Sequence, residues 1–174
     1  DQWAEMNRVR LDGLLFENWG VLRLVSRYVR HETGMREMDL FAWLRAEAGA
    51  AGAGLPALDA LTTLGSSLMA APASWAVVLA ELRSLLVERL GLVDDDALEA
   101  VCRAQLALLP AAGRRFPEVV EVAHDVATWH AEILDAKGAG PLRDWTEVVA
   151  PLRERPVAAF VVDDPDGVCD TRLG

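Results

Sequence analysis

The side chains with the most chemistry to offer are His124, Asp125 and His130, inside the stretch Phe116 to Leu134, FPEVVEVAHDVATWHAEIL. Two imidazoles and a carboxylate this close in sequence could ligate a metal ion or move a proton near neutral pH. Their spacing argues against a metal. His124 and His130 are six apart, which on a helix puts them on different faces, unlike the i, i+4 pair of a zincin helix. The expectation is therefore hydrogen-bonded or exposed imidazoles beside a strand end, with His124, Trp129 and His130 as candidate substrate contacts and no metal ligands. Asn18 is a further candidate. It falls on an apolar stripe, where a buried amide must find partners, so it either caps a second helix beginning at Trp19 or offers a polar handle in a ligand pocket.

Other reactive types lack a setting. Ser66 and Ser67 have no local base, and Cys102 falls on the apolar face of a helix, so no nucleophile and no catalytic residue is assigned. Asp94, Asp95 and Asp96 lack the alternating oxygen ligands and sharp-turn glycine of an EF-hand loop. With Glu99 three residues after Asp96 they read as a charged, capping-box-like helix start. Gly49, Gly52 and Gly54 form a GxxGxG string, but no strand precedes it and no Lys-Ser/Thr pair follows. It is neither a Rossmann turn nor a P-loop.

The elements that must hold these residues are mostly helical. Val119, Val120 and Val122 suit a pleated, half-buried surface, and Pro117 disfavours a helical residue before it. A short strand over about 118–123 then feeds, through an Asp125 N-cap, a helix from about 126 to 137, with Val126, Trp129, Ile133 and Leu134 at helical spacing. Val157 to Val162, VAAFVV, pairs with that strand antiparallel. Upstream, apolar periodicity predicts one helix from Trp3 to about Arg30, a second from about 36 to 48 burying Met38, Phe41, Trp43 and Leu44, and a flexible Ala/Gly connection over 46–54. Further helices are expected at 56–70, 75–90 with Ser74 as N-cap, and 95–109 with Leu106 inward. Trp145, Val148, Val149 and Leu152 anchor a less regular segment, and the tail from 164 is frayed. The fold class is mainly α: a multi-helix bundle in a single domain, 1–174, with a small two-stranded antiparallel β-ribbon near the C-terminus.

Composition narrows the partners. The chain of 174 residues carries a formal charge of −10, with the surplus of acids in the second half. A nucleic-acid binder needs Lys and Arg to neutralise phosphates, so DNA and RNA are not expected. No apolar run reaches the roughly 18 residues of a membrane span. Two cysteines, Cys102 and Cys169, and no signal sequence point to a reducing cytoplasm. The chain opens at Asp1 without an initiator Met, which is read as a portion of something longer.

Four phrases, in order, are WAVVLAELRSLLVERLG, DDALEAVCRAQLALLP, GRRFPEVVEVAHDVATWH and RPVAAFVV. Together, over roughly Trp75 to Val162, they resemble the C-terminal helical region of cobalamin-binding radical SAM proteins of bacteria. The resemblance implies a parent enzyme with a 4Fe-4S cluster on a CxxxCxxC loop, S-adenosylmethionine and a cobalamin domain. No cofactor is expected in this stretch itself. It implies for this chain the role of an accessory cap that packs beside the catalytic barrel of the parent polypeptide, helping to shape the pocket for a small-molecule or peptide substrate. The alternative is an independent all-α ligand-binding or dimerisation domain, such as the sensory domain of a transcription regulator.

Overall fold

A computed structural model describes residues 2–18, 20–51, 54–64, 75–109, 115–138, 144–157 and 159–163. It is mainly helical with one two-stranded antiparallel sheet near the C-terminus. The residues gather into two compact units, Asp1–Val93 and Asp94–Gly174, and each is taken by itself.

In the first unit, α1 (Gln2–Asp12) runs into a π-helical turn (Gly13–Asn18), and α2 (Arg23–Thr33) begins anew. The single helix expected from Trp3 to Arg30 is thus broken. Gly20 sits at φ +73°, and a Cβ there would meet the Arg23 guanidinium at 3.3 Å, so the chain leaves the helix where only glycine is unstrained. Leu22, not Asn18, occupies the N-cap position of α2, with no side-chain cap bond. Asn18 closes the π turn, and Trp19, where the second helix was expected to begin, lies outside the described residues. Gly34, at φ +76°, ends α2 and donates its N–H to the Arg30 carbonyl.

Helix α3 (Glu37–Ala51) then continues through residues 46–51 of the segment expected to be a flexible connection. Alanine is the best helix former, and Ala48 is fully buried, so core contact carries the helix past Gly49. Leu40, Phe41 and Leu44 face inward while Met38 is exposed, a correction to the expected stripe. Phe41 packs on Phe16 with ring centroids 4.6 Å apart, and Asp12 pairs with Arg45, tying α1 to α3. Arg30 reaches across the Gly34 turn to the buried Glu37 at 2.8 Å.

Helix α4 (Pro56–Leu64) packs on α5 (Trp75–Leu90). Ser74, the predicted cap of α5, lies outside the described residues. The start of α4 accounts for its own donors: Pro56 has no N–H, Asp59 donates to the Leu55 carbonyl at 2.9 Å, and Ala57 and Leu58 donate to the Glu81 carboxylate of α5 at 3.2 and 2.8 Å. One glutamate therefore caps a helix other than its own. Val78, Leu82 and Leu86 complete the face that α5 buries, and Gly91 at φ +75° closes it.

The second unit starts with α6 (Asp96–Leu108), capped by Asp95, whose Oδ1 accepts from Ala97 and Leu98 N–H at 3.1 Å each. The cap is one residue earlier than the Asp96–Glu99 box predicts. Leu98, Val101 and Cys102 are buried, whereas Leu106 is exposed, contrary to expectation. Strand β1 (Glu118–Glu121), α7 (Val126–Gly138) and β2 (Ala159–Val162) follow, with 3-10 turns at Trp145–Glu147 and Leu152–Glu154. The ribbon is antiparallel, as expected for 157–162 against 118–123, and pairs Glu118 with Val162, Val119 with Val161, Val120 with Phe160 and Glu121 with Ala159. Asp125 Oδ1 accepts from Thr128 N–H at 2.9 Å and so starts α7 as expected. Trp145, Val149 and Leu152 anchor the irregular segment, but Val148 is exposed, and so is Leu134 on α7.

Glu81→Ala leaves two amide donors of α4 without their acceptor and is expected to destabilise the chain by about 1–3 kcal/mol. Glu81→Gln, which keeps one acceptor oxygen, costs less. Urea unfolding followed by circular dichroism measures both, and an unchanged midpoint for the alanine variant would contradict the account of α4.

Candidate functional site

The second unit is clamped by two arginines on either side of one glutamate. Arg153, in the 3-10 turn, donates from Nε to Asp95 Oδ2 at 2.6 Å. Arg155, two residues on, donates from Nη1 and Nη2 to the two oxygens of Glu132 on α7 at 2.7 and 2.6 Å. A planar fork matched to a planar carboxylate is the geometry in which such pairs are strongest. Between them the two guanidiniums fix the cap of α6 and the middle of α7 to the segment that enters β2.

The electrostatics follow the contacts. Burial pushes the Asp95 carboxyl up, but the Arg153 hydrogen bond, the Leu98 and Ala97 amides and the Arg153 charge outweigh it and hold the group below its usual range. The Arg155 hydrogen bond likewise lowers Glu132, and Glu132 in return raises Arg155.

The predicted site residues separate. His124 is not on a helix: it lies opposite Pro156 as an isolated bridge that extends the ribbon, so the helical-face argument does not apply to it. It is half-buried, and its Nδ1 is enclosed without a hydrogen-bond partner. His130 is half-buried on α7. Trp129 is fully buried and meets Trp145 edge-on, with centroids 6.4 Å apart, while Lys137 Nζ lies 5.9 Å from the Trp145 ring centre. Trp129 is therefore core, out of a substrate's reach in this arrangement. Asn18 belongs to the other unit.

A shallow cleft of about 350 Å³ opens in the second unit. It is lined by Asp96, Glu99, Ala100 and Arg103 of α6 and by Glu121, Val122 and Ala123 at the end of β1. Its walls carry three carboxylates and one guanidinium, so it suits a positively charged or strongly hydrogen-bonding group. Of these residues the sequence singled out only the helix-starting acids and Val122 of the expected strand, and none of them as a site. The cleft exists only because the ribbon lies beside α6, and no local spacing announces that.

Among the described residues no group of three His, Cys, Asp or Glu side chains is placed to hold a metal ion. The sequence has two cysteines, of which Cys102 is buried in α6 and Cys169 lies outside the described residues. A radical SAM cluster takes three, so these residues do not fit that group. No described helix is long and apolar enough to cross a membrane. In comparisons with known proteins, no family model, no curated protein and no solved structure matches the chain.

Because the Asp95 carboxyl is depressed in the fold, its contribution to stability is complete above the unfolded carboxylate value, about 3.9. It is lost as pH falls through the lower folded value. Asp95→Asn, which can still accept a cap bond but carries no charge, is expected to show a flatter loss of stability between about pH 5 and pH 2 than the parent chain. Denaturant midpoints across that range check this, and parallel curves would show that Asp95 is not among the groups driving acid unfolding.

Proposed function

We propose that this chain is a helical accessory domain that docks beside a catalytic barrel and helps shape its substrate pocket. On the resemblance of residues 75–162, that barrel is a cobalamin-binding radical SAM enzyme of the bacterial cytoplasm, acting on a small-molecule or peptide substrate. The iron-sulfur cluster, S-adenosylmethionine and cobalamin belong to the rest of the parent polypeptide.

One observation carries the reading. Val119 and Val161, directly opposite each other on the ribbon, are 66% and 62% exposed, and Val157 is also exposed on that strand's approach. A cross-strand pair of valines turned to solvent gains its burial only when something covers it. A second apolar stripe supports the same idea: Trp3, Met6 and Val9 recur every third residue of α1, with Trp3 72% and Met6 61% exposed. Meanwhile Asp95, Glu132, Arg153 and Arg155 are engaged in holding elements together, a scaffold's use of charge. The histidine candidates fit a supporting role, with His124 half-buried at the ribbon end and His130 half-buried on α7.

Reading the gene upstream is the direct check. A CxxxCxxC loop in the same polypeptide is expected, and a basic helix-turn-helix there would overturn the proposal in favour of a regulator's sensory domain. In the full-length enzyme, Val119→Lys with Val161→Lys is expected to lower turnover by about tenfold or more, with little change in unfolding midpoint, since both side chains are exposed. Unchanged turnover would remove the ribbon face as a docking surface. Titration calorimetry of this chain alone with S-adenosylmethionine or cobalamin is expected to show no binding, and a saturable heat would contradict the assignment of both cofactors to the rest of the parent.

A further inference from the structure

Helix α1 turns nearly all of its side chains to water. Of those described on it, Asn7 and Leu11 are half-buried, Asp12 is buried and the others are exposed. An isolated helix shorter than about 12–15 residues is marginal in water, and α1 has 11. Asp12, which pairs with Arg45 of α3, ties down its last turn. The first two turns are left as a largely uncovered cylinder that gains stability from a partner. At about 100° per residue, Asn7, Leu11 and Asp12 centre on one side of it, and Met6 and Val9 lie on the opposite side with Trp3 beside them.

The charges beside that stripe select its occupant. Met6 and Val9 have the spacing of the a and d positions of a coiled-coil seam, which makes Glu5 the preceding g position and Arg10 the following e position. In a parallel pair a g side chain meets the e side chain five residues further along the partner helix, and Arg10 stands five residues after Glu5. A two-fold axis along the seam makes this pairing twice. Arg10 is exposed and forms no ion pair among the described residues. Glu5 meets Arg8 at 3.3 Å, but both side chains are exposed, and such a pair contributes little by itself. Antiparallel pairing about Met6 does the reverse: it sets Glu5 near the other copy's Glu5, with Arg10 across the seam. Charge therefore favours two copies side by side in the same direction.

We propose that α1 is a self-association helix, which pairs in parallel with α1 of a second copy of this chain. Met6 and Val9 form the seam, Trp3 lies over its flank, and Glu5 of each copy bridges to Arg10 of the other. The seam is little more than one heptad long, so the contact falls below the roughly 1,200 Å² of a standard interface, and a dissociation constant on the order of 10–100 µM is expected. Docking beside a barrel is carried by the ribbon face, Val119 and Val161, so this pairing of α1 stands or falls separately from it.

Sedimentation velocity on the 174-residue chain, from about 1 µM to about 1 mM, is expected to show a monomer–dimer equilibrium that added salt shifts towards monomer. Met6→Glu is expected to abolish the dimer. Glu5→Arg and Arg10→Glu are each expected to weaken it about tenfold. An equal mixture of those two variants restores it, because opposite charges then meet at both bridges, a recovery that misfolded variants could not give. With Cys169→Ser as background, Val9→Cys is expected to cross-link to itself under mild oxidation, since a parallel seam brings the two positions together and an antiparallel one does not. Val119→Lys with Val161→Lys leaves the dimer intact, which keeps the ribbon face and α1 apart in the readout. Four results would each overturn the proposal: a monomer at every concentration, a dimer indifferent to the charge reversals or not restored by the mixture, a dimer in which Val9→Cys fails to cross-link, or a dimer lost with the ribbon lysines.

Discussion

A helix cannot begin inside a folded chain unless something accepts its first amide protons, and in this protein carboxylates do so repeatedly. Asp95 starts α6, Asp125 starts α7, Asp144 starts the first 3-10 turn, and Glu81 starts α4 from a neighbouring helix. A negative group at a helix N-terminus meets both the unsatisfied donors and the positive end of the helix dipole. Part of the acidic surplus is thereby structural. Where such a carboxylate also faces a guanidinium, as Asp95 faces Arg153, it joins the start of one element to a distant part of the chain.

That arrangement gives the second unit its order of dependence. The 3-10 turn at 152–154 offers little apolar surface beyond the buried Leu152, yet Arg153 and Arg155 leave it towards α6 and α7. Hydrophobic burial of Trp129, Ile133, Trp145 and Val149 supplies the drive to collapse. The two arginine contacts add direction, which burial lacks, and hold the segment entering β2 where its register with β1 is met. The first unit has the same division: Phe16, Phe41, Leu44 and Leu82 fill the interior, and Glu81, Arg30 and Asp12 set how the helices meet.

Periodicity and caps made much of the fold legible. The bounds of α5 follow from Leu82, Leu85 and Leu86 at helical spacing and Gly91 after them, and the ribbon follows from β-branched runs beside Pro117 and Pro156. Local signals misled where tertiary contact overrode them. The Ala/Gly segment 46–54 looked like a linker, but burial of Ala48 holds its first part, to Ala51, in α3. The apolar stripe through Trp3 to Arg30 looked continuous, but one left-handed glycine ends it. The site was less legible than the fold. Trp129 carries the composition of a binding residue and the position of a core residue, and the cleft beside α6 depends on two stretches, Asp96 to Arg103 and Glu121 to Ala123, that are far apart in sequence. Nor do Arg153 and Arg155 signal their partners, which lie 58 and 23 positions away.

Asp125 takes part in two constructions at once. Its main chain bonds to Arg155 in the ribbon, its side chain opens α7, and Arg155 returns to α7 through Glu132. The join between strand and helix is consequently intolerant of changes in length. Inserting a single residue between Glu121 and Asp125 would turn α7 by about 100° about its axis and exchange the two faces of the strand that precedes it, unseating Trp129 and Glu132 together. A change of length is accordingly expected to be tolerated only away from that junction, and the few residues between ribbon and helix act as a fixed gauge.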